Sequence, residues 1–219
     1  MNGVIFRYQV AVSPRRRRIG LAVTAPHEIA VFLPPGITID VVSILQSRAS
    51  WLVRQHQVRA AVWQRRPVLR VGGWAYVLGD RWRLVPEGER TDDRVEIVVP
   101  DGTEDVRHEL IKWYQATAPS MFRTRLQLWA HSLNVTYRAL VIANGVTRWG
   151  YCRPDGTVGL NWRLYQAPLW VIDYVIVHEV AHRRYPHHQA SFWEFVTQQY
   201  PDAMSARQWL KQYGEDLLW

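Results

Sequence analysis

The chain has 219 residues, 48% of them hydrophobic, with a formal net charge of +8 and an isoelectric point near 10.0. That length can bury one good core, or a main domain beside a smaller one, and excludes a small disulfide-stapled peptide. No apolar run is long enough to span a bilayer, Arg7 and Gln9 interrupt the apolar positions of the N-terminus, and the lone Cys152 excludes an internal disulfide or a CxxC metal site, so a soluble, cytoplasmic protein is expected.

Residues 5–12, 19–24 and 28–33 alternate or run apolar, with turn signals at Ser13-Pro14 and Ala25-Pro26. They predict a small antiparallel meander. Arg15-Arg16-Arg17-Arg18 would fill the first hairpin, either as a solvated turn or as a phosphate-seeking patch. Residues 38–62 carry no Gly or Pro and place Val42, Leu45, Leu52 and Val53 at helical spacing, with Asp40 in the first turn. An amphipathic helix covering the sheet is expected. Gly72-Gly73, Gly79-Asp80 and Pro86 to Gly88 then punctuate strands at 74–78, 82–85 and 95–99.

The pattern changes near residue 103. Residues 103–133 are helical in spacing, opened by Thr103 and Glu104 and interrupted by Pro119, which should break or kink the helix. Strands are predicted at 135–143, 147–152 and 157–164, the last two joined by the turn Arg153-Pro154-Asp155-Gly156. A helix follows from Pro168 to about Arg184, and another from Gln189 to Tyr200. The fold class is α+β, with an N-terminal antiparallel β region and covering helix at 1–102 and a second region at 103–219. Trp113, Trp129 and Trp193 fall on helices, which makes them core rather than base-stacking residues.

The chemistry lies in His178-Glu179-Val180-Ala181-His182. Histidines four apart project from one helix face, close enough for both imidazoles to hold one zinc ion. Glu179 is then placed to take a proton from water beside the metal. A buried helix with two incidental histidines is the alternative, but burying two His and a Glu without partners is costly. His108-Glu109 and His27-Glu28 pair the same residue types without a second His at the fourth place. A catalytic zinc site usually takes three protein ligands. Pro186 should end the helix and let the chain turn back, so the third ligand is sought in His188, at the entrance of the next helix, then Glu194, then His187.

HExxH, His188 and Phe192-Trp193 together resemble the signature of the YgjP-like metal-dependent hydrolases, with SprT-like and WLM-type proteases as more distant relatives. Thr147-Arg148-Trp149-Gly150-Tyr151-Cys152 with Gly159-Leu160-Asn161-Trp162-Arg163-Leu164 is similar to that family's TRWGSC…LNWRL hairpin. Tyr151 stands where the family usually has Ser, which puts the substrate groove in question. The resemblance implies a zincin-like catalytic domain at 103–219 with one Zn²⁺ per chain, His178, His182 and His188 as ligands, and Glu179 as catalytic residue.

A metallopeptidase is the leading expectation, because an extended peptide could pair with the free hairpin edge. Arg148, Tyr151 and Tyr185 are candidate substrate or transition-state contacts, and Asn161 and Asp173 could orient a ligand. The competing readings are a metal-dependent nucleoside triphosphate pyrophosphatase, which suits the arginines and has been linked to the family, and a DNA-binding module whose zinc is structural. Peptide or protein is the expected partner, with nucleotide or nucleic acid as the alternative through Arg15 to Arg18.

Overall fold

A computed structural model describes residues 6–25, 27–89 and 95–219; Ile5, Pro26 and 90–94 lie outside the described residues. The chain divides into two compact units, Met1–Arg66 and Pro67–Trp219. The sequence pattern placed a change of character near 103, whereas the division lies between Arg66 and Pro67. The reason is packing: Ala75, Val77, Leu84, Ile97 and Val99 belong to the same core as the helices that follow.

The first unit holds β1 (Arg7–Val12), β2 (Gly20–Ala25), β3 (Glu28–Leu33), α1 (Val41–Ser47) and α2 (Ala49–Arg65). The sheet order is β1-β3-β2, with β2 antiparallel and β1 parallel to β3. It is therefore not a meander. Because β3 lies between β1 and β2, the four arginines occupy a crossover rather than a tight hairpin; Arg16 lies over the Phe32 ring at 4.6 Å. The expected single helix is two. Asp40 is the N-cap, its carboxylate accepting from the backbone of Val42 and Ser43, and Arg48 separates α1 from α2. Val23, Ile29, Val31, Leu33, Leu45 and Leu52 form this unit's core.

The second unit begins with β4 (Trp74–Val77), β5 (Asp80–Pro86) and β6 (Glu96–Val99), again with one antiparallel and one parallel pair. Helix α3 (Val106–Ser132) follows, capped by Asp105, whose carboxylate accepts from the His108 amide, and not by Thr103. It runs unbroken through Pro119. Loss of that ring's N–H frees the carbonyl of Gln115, which stands at an exposed position where water can satisfy it. Leu110, Tyr114, Ala118, Phe122, Leu126 and Ala130, each four residues on from the last, form the buried stripe. The Tyr114 hydroxyl donates to the Tyr76 carbonyl and ties α3 to β4.

The third sheet is β7 (Ala139–Ala143), β8 (Gly150–Cys152) and β9 (Thr157–Asn161), in the order β7-β9-β8. β9 is buried along its length, parallel to β7 and antiparallel to β8, which leaves β8 at the edge. A 3-10 turn at Trp162–Gln166 leads to Pro168, the N-cap of α4 (Leu169–Ala181). α5 (Ala190–Gln199) and α6 (Ala203–Tyr213) complete the unit; α6 was not expected from the sequence. Among the described residues, no helix is long and apolar enough to cross a membrane.

Candidate metal centre

Helix α4 is apolar almost all round, and Ile172, Ile176, Val177 and Val180 bury completely. A helix so enclosed has little freedom to rotate, which fixes the direction of the polar groups at its C-terminal end. His178 lies in its last turn and His182 is its C-cap. The next residues are fastened by arginines: Arg183 donates to the carbonyls of Thr136 (3.1 Å) and Pro154 (3.0 Å), and Arg184 to that of Asn134 (3.1 Å). Pro186 then turns the chain so that His188, just before α5, returns to the C-terminal end of α4.

The ligand atoms of His178, His182 and His188 lie within 4.8 Å of one another. His188 Nε2 is 3.0 Å from His178 Nε2. Two neutral imidazoles meeting lone pair to lone pair would repel, so this approach needs a proton or a cation between them. Burial and the neighbouring His182 and His188 push His178 down to about 3, which makes it a poor proton holder and a ready metal ligand. The Nδ1 of His182 donates to the Tyr185 carbonyl at 3.0 Å, leaving its Nε2 free to face the cluster. The His178 Nδ1 is buried without a hydrogen-bond partner among the described residues. The donor set fits a borderline divalent ion such as Zn²⁺, whose nitrogen ligands stand about 2.0–2.1 Å from the metal and therefore a few ångströms from one another.

Phe192 holds this arrangement. Fully buried, its ring centroid lies 4.9 Å from that of His178 and 4.7 Å from those of His182 and His188. Trp193 stacks on His188 at 5.9 Å, and the Arg207 guanidinium lies 4.7 Å from the Trp193 centroid. The histidines open on a cleft of about 470 Å³ bordered by Arg148, Gly150, Tyr151, Arg153, Glu179 and Arg183. Glu179 is 6% exposed; burial raises its carboxyl to about 8, opposed by the charge of Arg148.

The sequence matches the profile described as "YgjP-like, metallopeptidase domain" over residues 17–213. The chain belongs to the YgjP-like family. At that level it is a metal-dependent hydrolase of the peptidase kind. Neither a curated protein nor a solved structure matches it.

Tyr151, the departure from the YgjP-like hairpin, is accommodated by Gly159, its register partner across the β8–β9 pair. A Cβ on Gly159 would lie 2.2 Å from Cε1 and Cζ of Tyr151, so the ring lies flat on the space that the glycine leaves. The Arg153 guanidinium covers the same ring at 5.2 Å. Tyr151 and Arg148 line the cleft. Tyr185 does not: its ring packs on Phe195 at 5.3 Å, and its carbonyl is what serves the site.

Among the described residues, Asn161 makes no hydrogen bond to a histidine. Its amide donates to the carbonyls of Gly145 (2.5 Å) and Arg148 (3.1 Å), and its oxygen accepts from the Arg163 amide, so it shapes the loop leading into β8. Asp173 pairs with Arg125 of α3, with Nε donating to Oδ1 at 2.7 Å, and binds α4 to α3 rather than orienting a ligand. Glu194 and His187 stand outside the cluster and are exposed. Cys152 packs against the core, and burial raises its thiol, the behaviour of a structural residue.

Sequence reasoning missed Tyr174 and Arg207 as contributors and named Phe192 only within the family signature. Tyr174 and Phe192 both touch His178, and Arg207 comes from the unforeseen α6. The i−4 spacing of Tyr174 from His178 was the available signal for the first.

Proposed function

We propose that the protein is a zinc-dependent peptidase in which His178, His182 and His188 hold the ion and Glu179 is the general base. The observation that carries this reading is the convergence of three imidazoles around one point, beside a buried carboxylate and an unpaired strand edge. Bound there, zinc would supply a Lewis acid that acidifies water and polarises a carbonyl.

The residues of the chain do the rest. The edge of β8 offers backbone groups to an extended peptide, which aligns the scissile bond along the cleft. Glu179, held at a raised proton affinity by burial, takes the proton of the attacking water and delivers it to the leaving amine. Arg148 and Tyr151, both on the cleft wall, are the groups in reach to donate to the developing oxyanion. A phosphoanhydride substrate is the second reading, favoured by Arg148, Arg153 and Arg183 on the cleft border. A purely structural zinc would need a fourth protein ligand to close the site, and His187 lies outside the cluster.

Elemental analysis tests the site. About one zinc per chain is expected in the wild type and in Glu194→Ala, and little in His178→Ala or His188→Ala; retention in His188→Ala with loss in Glu194→Ala would overturn the ligand set. Glu179→Gln should keep zinc and lose peptide hydrolysis by several orders of magnitude, and undiminished cleavage would overturn its role.

A further inference from the structure

A second cavity, of about 290 Å³, shares Arg148, Gly150, His178 and Glu179 with the metal cleft and adds Tyr174 and Arg207. Glu179 is the sole acidic residue lining either cavity. Among the described residues, neither Arg148 nor Arg207 has an ion-pair partner. Arg207 is nevertheless held in place: its guanidinium lies on Trp193, whose ring stacks on His188 and stands 5.7 Å from His178. An arginine fixed in this way beside the reacting centre is preorganised to bind an anion. Tyr174 lines the same cavity, and its hydroxyl makes no hydrogen bond among the described residues, so it is open to a bound acceptor.

We infer that this cavity is a subsite for an acidic side chain of the peptide substrate, with Arg207 and Arg148 pairing its carboxylate and Tyr174 donating to it. The inference rests on the peptidase reading of the adjoining cleft. Gly150 connects the two, because it starts the free edge strand and borders both cavities. A peptide lying along β8 sends alternate side chains to opposite faces, so one of them can enter the second cavity while the backbone stays paired. Two guanidinium groups against one carboxylate favour an anionic side chain there, and planar forks match carboxylate geometry. The strand edge selects an extended peptide over a nucleotide.

The test is binding to the zinc-loaded Glu179→Gln protein, by titration calorimetry, of acetylated and amidated hexapeptides carrying Glu or Gln at each position in turn. At one position Glu should bind about tenfold more tightly than Gln. The preference should fall to less than about twofold in a protein that also carries Arg207→Gln, and with Arg207→Glu it should pass to a Lys peptide. Arg207 is exposed on α6, so these variants should fold and keep their zinc. Equal binding of Glu and Gln peptides at every position overturns the subsite, as does a preference that survives Arg207→Gln. Arg207-dependent binding of ATP without any acidic-peptide preference overturns it in favour of a phosphate site. Wild-type cleavage assays on the same peptides separate the two ideas. Cleavage with no acidic preference overturns the subsite alone, whereas Arg207-dependent binding of acidic peptides without cleavage supports the subsite and overturns the peptidase reading.

Discussion

Gly150 lies against Glu179 so closely that a Cβ on the glycine would stand 2.8 Å from both Cγ and Oε1 of the carboxylate. The bare backbone at the start of β8 therefore lets the strand edge approach the candidate base. Gly150→Ala should push the Glu179 side chain aside while leaving the three histidines untouched. Peptide hydrolysis should fall about 100-fold with zinc content unchanged. Full activity in Gly150→Ala would mean that Glu179 does not need this position.

Asp173 and Arg125 make a two-pronged pair between α4 and α3, with the Asp173 side chain 8% exposed and that of Arg125 25%. Asp173→Asn leaves a guanidinium without its partner in a partly buried setting. We expect a loss of about 2 kcal/mol, less than for a wholly buried pair because Arg125 reaches solvent. Thermal unfolding should shift down by about 4–8 °C. Zinc stoichiometry should hold, since the pair faces α3. Loss of zinc at unchanged stability would return Asp173 to the metal site.

The candidate metal site was legible in the sequence because its information is local. His178 and His182 are four apart on one helix, and His188 sits where Pro186 forces the chain to return. The sheets were less legible. Period-two alternation marks a strand but carries no sign of whether its neighbour runs parallel, and in each of the three sheets one pair is parallel. The break at Arg48 had no Gly or Pro to announce it, and Pro119 announced a break that does not occur because its helix exposes the affected turn. The roles of Phe192 and Arg207 depend on how α4, α5 and α6 pack, which spacing along one helix does not encode.

Burial of Glu179 predicts a pH dependence of stability in the metal-free protein. The folded carboxyl titrates at about 8 against an ordinary value of 4.5, so the folded state binds its proton more tightly than the unfolded state does. Below about pH 4.5 both states are protonated and the group costs nothing. As pH rises, the unfolded chain ionises first, stability falls, and the loss is complete once the folded carboxyl also ionises above about 8. The full penalty is on the order of 5 kcal/mol. Glu179→Gln removes it. After chelation of metal, the variant should melt close to the wild type near pH 5 and several degrees above it near pH 8.5. His178, which burial and its histidine neighbours hold well below its ordinary value, is present in both proteins and cancels from the comparison. Differential scanning calorimetry across this range measures the gap; a gap that stays constant with pH would show that Glu179 is not buried as a carboxyl in the metal-free fold.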